Sequence, residues 1–123
     1  MFRMADKHIP TAALRRWVDQ LWLAAGCSAD EARLTAEHLV GANLAGHDSH
    51  GVGMVPRYVS SWLAGELQLN QHVAITSDSG SVLSLDAQRG MGQSTAYEAM
   101  NLAIERAKKH GVCVMGLKHA HHI

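Results

Sequence analysis

The apolar residues of this chain change period once, and that change limits the folds open to it. Up to Leu63 they recur every three or four positions: Leu14, Trp17, Val18, Leu21 and Trp22, then Leu34, Leu39 and Val40, then Val55, Tyr58, Val59, Trp62 and Leu63. That is the spacing of helices with one buried face. From Val73 the runs are short and β-branched or alternating, "VAITS" and "SVLSLDA", separated by "DSG", which predicts a hairpin. A helical period returns in "QSTAYEAMNLAIERAKKHG", with Ala96, Met100, Ala103, Ile104 and Ala107 on the face expected to be buried. "VCVMGL" follows as a continuous apolar run, the pattern of a fully buried strand. Strand, helix, strand predicts a parallel crossover. The fold class is therefore α/β, with a helical region over residues 1–67 and a partial α/β region over 68–123.

Local chemistry sets the boundaries. Pro10 suits a first helical turn, and Gly26 a left-handed cap. In "SADE", Ser28 can accept from an amide three residues on while Glu31 reaches back, the reciprocal capping pair, so the second helix starts near Ala29. That helix is expected to give out within "GANLAGHDSHG", where Gly41, Gly46 and Gly51 each disfavour helix by about 1 kcal/mol relative to alanine. Pro56 is tolerable only in the first turn of the third helix, with Gly65 as its stop. Gly111 caps the fourth.

Composition removes several functions. Eleven Lys plus Arg balance eleven Asp plus Glu, and they are scattered, so no basic footprint for nucleic acid or an anionic membrane is expected. No apolar run approaches a membrane span, and "MFRMADKHIP" lacks the apolar core of a signal peptide, which predicts a cytoplasmic protein. Cys27 and Cys113 lie far apart in apolar surroundings and read as buried thiols. The chain stops at "LKHAHHI" directly after the last expected strand and reads as cut short.

Nine histidines are the compositional oddity, and two of them stand in "GHDSHGVG". Three readings compete for this stretch. His47 and His50, with His119, His121 and His122, could ligate a metal, but no Cys or Glu joins them at a diagnostic spacing, and no metal is expected. Asp48 and Ser49 could simply cap the third helix. An imidazole beside a helix start could instead pass a proton to or from a substrate hydroxyl. Gly90 and Gly92 in "LDAQRGMGQS" imitate the start of a dinucleotide fingerprint, but its third glycine position is Thr95, and a tight strand-to-helix turn accounts for both.

Several motifs occur together in order: "NLAGHDSHGVGMVPRYV", "LDAQRGMGQ", "AMNLAIERAKKHGV" and the closing "HAHHI". On these the chain resembles the malate/L-lactate dehydrogenase family, the type-2 2-hydroxyacid dehydrogenases, and within it the hydroxycarboxylate dehydrogenase branch. The resemblance implies NAD or NADP as cofactor, a small 2-hydroxy or 2-keto acid as substrate, and a homodimer whose sites form between subunits. It makes His50, in the Ser-His-Gly motif, the proton donor and acceptor lying beside the nicotinamide. Asp48 would pack or cap rather than orient His50. Many members carry an arginine four residues after this histidine, where Met54 stands here, so Arg57 is the substitute candidate for the substrate carboxylate. The family's Ser-x-His near the cofactor phosphates appears as His119, Ala120, His121, His122, without the serine, leaving His121 and His122 as candidates for cofactor contact. Members are considerably longer, with most of the cofactor-binding segment and a further catalytic acid beyond Ile123. These residues alone are therefore expected to bind no cofactor and to be inactive, or, as the alternative, to form a non-catalytic oligomerisation or interaction module.

Overall fold

A computed structural model describes residues 7–122. The leader reading falls mostly on residues 1–6, and Ile123 of the closing motif also lies outside the described residues. Four α-helices and three strands follow in the order α1 Thr11–Ala25, α2 Ala29–Leu44, α3 Val55–Leu63, β1 Ala74–Asp78, β2 Val82–Asp86, α4 Gly92–His110 and β3 Val114–Lys118. Two single 3-10 turns, Asp48–His50 and Val52–Met54, connect α2 to α3. No described helix is long and apolar enough to cross a membrane.

Pro10 stands as the N-cap of α1, and Gly26 ends the helix at φ 104°, a left-handed conformation that glycine adopts without a Cβ penalty. Ser28 Oγ accepts from the Glu31 amide at 3.2 Å, but the reciprocal half of the capping pair does not form. The Ser28 amide donates to Asn70 Oδ1 at 2.6 Å, and the Glu31 carboxylate turns inward. Gly41 does not stop α2, which runs three residues beyond it. Asp48 and Ser49 do not cap α3, whose N-cap is Met54 with no side-chain bond. Asp48 Oδ1 instead accepts from Asn43 Nδ2 at 2.7 Å, tying the 3-10 turn back to α2.

β1 and β2 are antiparallel, and β2 and β3 are parallel across α4, so the sheet order is β1-β2-β3. One apolar cluster gathers Val18, Trp22, Leu39, Val40, Val55, Tyr58, Leu67 and Met91 from the three N-terminal helices, the connector after α3 and the turn before α4. A smaller one gathers Leu83, Leu85 and Ala99, with Leu102, Met115 and Leu117 against them. Two expectations are corrected here. The inward face of α4 is Gly92, Thr95, Ala99 and Ala103, while Met100 and Ile104 are 53% and 42% exposed; small residues let α4 lie close to its neighbours, and the large ones turn outward. β3 is not fully buried either. Its side chains alternate between exposed and half-buried, as on the outer strand of a sheet covered on one side.

Candidate functional site

The site forms where the 3-10 turn after α2 meets the segment after β3. Asn43 holds the turn: its Oδ1 accepts from the Val52 amide at 2.8 Å while its Nδ2 donates to Asp48. A Cβ on Gly51 would collide with the Asn43 side chain, so a larger residue after His50 would have to displace Asn43 and the two bonds with which it holds the turn. The result is a half-buried His50 with Nδ1 3.0 Å from Ser49 Oγ. Among the described residues its Nε2 has no protein partner.

The segment after β3 returns to the start of α4. The Gly92 amide donates to His121 O at 3.1 Å, and the His121 amide to Gly90 O at 2.9 Å. A Cβ on Gly92 would collide with the backbone carbonyl of His122. The two glycines of the imitation fingerprint are thus consumed by chain packing, and they form no cradle for phosphate. His122 takes a left-handed backbone, φ 47°, a conformation costing a non-glycine residue on the order of 1 kcal/mol. It places the His122 ring against that of His50, with centroids 5.1 Å apart and planes 27° from parallel. The His47 ring also lies near that of His50, centroids 4.2 Å apart and planes 43° from parallel.

His50 and His122 open onto one cleft of about 370 Å³, walled by His38, Ala42, Gln93, Ala96, Tyr97 and Met100. Its walls are mostly apolar, with two imidazoles side by side, a setting suited to a planar ring and a small polar substrate. Beneath it, Tyr58 is fully buried; its hydroxyl lies 2.8 Å from His122 Nδ1 and accepts from Gln93 Nε2 at 2.9 Å. Burial pushes the Tyr58 hydroxyl above the usual phenol range, so it is protonated at neutral pH. Burial, then the neighbouring His50, Arg57 and His121, hold His122 below the usual imidazole range. Among the described residues no group of three or more His, Cys, Asp or Glu side chains is arranged to hold a metal ion.

A family model described as Malate/L-lactate dehydrogenase matches residues 9–123. The chain belongs to that family. Among malate/L-lactate dehydrogenase relatives, hydroxycarboxylate dehydrogenase B of Escherichia coli (strain K12) is 46% identical over 110 residues, covering 89% of this chain and 30% of that protein. Malate dehydrogenase of Pyrococcus abyssi (strain GE5 / Orsay) is 34% identical over 114 residues, covering 93% of this chain and 32% of that protein. The structure of malate dehydrogenase from Pyrococcus horikoshii OT3 matches with a TM-score of 0.89 at 28% identity, over 99% of this chain and 36% of that one. The chain thus spans about 30% of the length of the curated relatives it matches.

Of the residues singled out from the family motifs, the fold brings His50 and His122 to one cleft. His121 lies behind it, edge-on to Tyr58 with centroids 5.4 Å apart, its Nδ1 buried without a partner. Arg57 is exposed on α3 and outside the cleft wall, but its charge is close enough to depress both His121 and His122. Sequence reasoning missed His38 and Gln93. A glutamine one residue into a helix that opens on a tight glycine turn is the only sequence signal that Gln93 offers.

Proposed function

We propose that this chain is the amino-terminal portion of an NAD(P)-dependent dehydrogenase interconverting 2-hydroxy and 2-keto acids, that His50 is its proton carrier, and that these residues alone do not turn over substrate. The observation that carries the reading is the placement of His50: half-buried, on the rim of an apolar cleft, with Nδ1 beside Ser49 and Nε2 free of any described protein partner.

The chemistry follows from that placement. NAD or NADP, when bound, takes the hydride from the carbinol carbon or returns it. As the hydride leaves, the hydroxyl proton must leave as well, and a neutral imidazole within hydrogen-bond reach accepts it. With Ser49 Oγ accepting from Nδ1–H, the neutral ring would present Nε2 as its basic atom. In the reducing direction the same atom returns the proton to the keto oxygen. His50 and His122 are the residues placed to meet the nicotinamide end, His121 backs them, and Arg57 draws the substrate carboxylate towards the rim.

The test is reconstitution. The purified chain with NADH or NADPH and pyruvate should show no turnover; robust turnover would overturn the expected inactivity. Supplying the remaining two-thirds of a relative as a second chain should restore activity, and His50→Ala should then reduce kcat by roughly 10²- to 10⁴-fold. Retained turnover in that variant rules His50 out. Arg57→Ala should raise KM for the keto acid roughly tenfold, the loss of one charged hydrogen bond; an unchanged KM would remove Arg57 from the site.

The exposed apolar residues favour a second reading. Leu63, Val114 and Met100 are 74%, 63% and 53% exposed, surface that a protein of this size hides by association. A non-catalytic module that self-associates as a homodimer would sediment as a dimer and show no turnover with any complementing chain.

A further inference from the structure

Tyr58 lies beneath the cleft, and Gln93 closes the wall between them. Both are buried, and they form a chain of hydrogen bonds that ends on one nitrogen of His122. Gln93 Nε2 donates to Tyr58 Oη at 2.9 Å, and Tyr58 Oη lies 2.8 Å from His122 Nδ1. A phenol has one proton to give. With its oxygen receiving one from Gln93, the arrangement that also uses the phenol's own proton directs it at His122 Nδ1, the other polar atom within hydrogen-bond reach among the described residues; Nδ1 is then the unprotonated nitrogen. Nε2 carries the imidazole proton.

The reverse arrangement is the less favourable one. With the Gln93 amide turned over, Tyr58 would donate to Gln93 and accept from His122 Nδ1–H, but the amide's two N–H donors would then occupy the place of Gln93 Oε1, which is buried and has no partner. One unmet acceptor costs less than an unmet donor pair. The groups facing His122 act in the same direction, since burial, His50, Arg57 and His121 all disfavour a charged ring there. His122 Nε2 has no described protein partner and is not among the buried unpaired atoms, and the ring borders the same cleft as His50.

We infer that Tyr58 and Gln93 are positioning residues that hold neutral His122 as its Nε2–H tautomer, so that the cleft presents a fixed hydrogen-bond donor, beside His50, to an oxygen of the bound 2-hydroxy or 2-keto acid. This rests on the proposed function for the identity of the ligand, but not for the tautomer. The two stacked imidazoles thereby divide the work: His50 exchanges the proton, and His122 keeps its own and holds the oxygen. A donor that cannot be lost keeps the substrate oriented in both directions of the reaction.

The test is two-bond proton–nitrogen correlation of the histidine rings in the nitrogen-labelled chain, at a pH where His122 is neutral. The wild-type chain should show His122 with Nε2 protonated and Nδ1 bare, together with a slowly exchanging Tyr58 hydroxyl proton. Gln93→Glu replaces the donor by an acceptor, and should reverse the relay: Tyr58 then donates to the new carboxylate and His122 becomes the Nδ1–H tautomer. Tyr58→Phe should leave a mixture of the two. A wild-type ring protonated at Nδ1, or a Gln93→Glu variant still protonated at Nε2, would overturn the inference. Oxamate, an unreactive mimic of a 2-keto acid, should shift the His122 Nε2–H resonance in the wild type and do so less in Tyr58→Phe. Oxamate moving His50 but not His122 would remove the donor role and leave His50 as proton carrier; the expected tautomer together with full turnover in the reconstituted His50→Ala enzyme would do the opposite.

Discussion

Glu31 is only 4% exposed, and its carboxylate is fully employed. Oε1 accepts from the Asn70 amide at 2.9 Å and from the Cys27 thiol at 3.2 Å, and Oε2 accepts from Ser94 Oγ at 3.1 Å. Burial, then the Glu31 bond and charge, push the Cys27 thiol well above its ordinary value, so it serves as a donor and not as a nucleophile. One side chain thus joins the start of α2, the connector before β1 and the first turn of α4. Glu31→Ala should cost about 1–2 kcal/mol, because the Asn70 amide and the Cys27 thiol lose their acceptor at a partly buried junction, while Ser94 Oγ keeps Met91 O; Glu31→Gln, which keeps an acceptor for Asn70, should cost clearly less. The urea midpoints of the two variants measure this, and equal losses would mean that packing, not the acceptor, holds the junction. The same scale shows where reading from sequence stops. Glu31 was read as the returning half of a capping pair because the local pattern allows it, but that bond does not form; apart from Cys27, its partners are 39 and 63 residues away. His50 was singled out from its motif, and the fold sets it on the cleft rim. Gln93 was not, because a glutamine is ordinarily placed on the surface and only its partner, 35 residues distant, makes it interior. His121 and His122 were equal candidates until the left-handed turn at His122 separated the cleft from the interior behind Tyr58.

Helix and strand positions were largely legible because their punctuation is local chemistry: left-handed glycines at 26, 65 and 111, and the Ser28 cap. Facing was harder. Met100 and Ile104 carry the apolar weight of α4, but Ala99 and Ala103 carry its contact, and a hydrophobic period cannot distinguish a large residue that faces outward from a small one that permits close packing. β3 has the composition of an inner strand and the exposure of an outer one, since composition reports the sheet a strand is suited to and not how many neighbours it has. Glycine makes the same point with opposite signs at two positions. At Gly41, inside α2, a Cβ meets nothing within 4 Å, so Gly41→Ala should stabilise the chain by about 1 kcal/mol through helix propensity. At Gly92 a Cβ would strike the His122 carbonyl and lie 2.8 Å from His121 O. Gly92→Ala should cost roughly 1–3 kcal/mol and free the segment after β3. Thermal melts give the two signs, and hydrogen exchange at the His121 amide reports the release; a Gly92→Ala variant with that amide still protected would show the packing at this glycine to be less tight than its geometry implies.

Across the whole molecule, that segment closes the cleft, and its hold depends on pH. Burial holds His121 below the usual imidazole range, as it does His122. Both rings are thus better neutral in the fold than in the unfolded chain, whose imidazoles titrate near about 6.5. Between that pH and the lower folded values the unfolded chain binds more protons, so stability is complete above the window and declines as pH falls through it. The aspartates act later. The Gly80 amide and then Arg106 hold Asp78 low, and the Gln88 amide, then His119 and Lys118, do the same for Asp86. Their contribution persists above the ordinary aspartate value of about 3.9 and is lost only below it. The melting temperature should therefore be level from about pH 7 to about 8, above which the raised Cys27 thiol makes the unfolded chain lose its proton first; it should fall as pH drops through about 6.5, and fall again below about 4. Replacing His121 and His122 by glutamine should abolish the first descent and spare the second, while Asp78→Asn with Asp86→Asn should do the reverse. A first descent that survives in the double glutamine variant would place the acid-sensitive contact elsewhere than at the cleft.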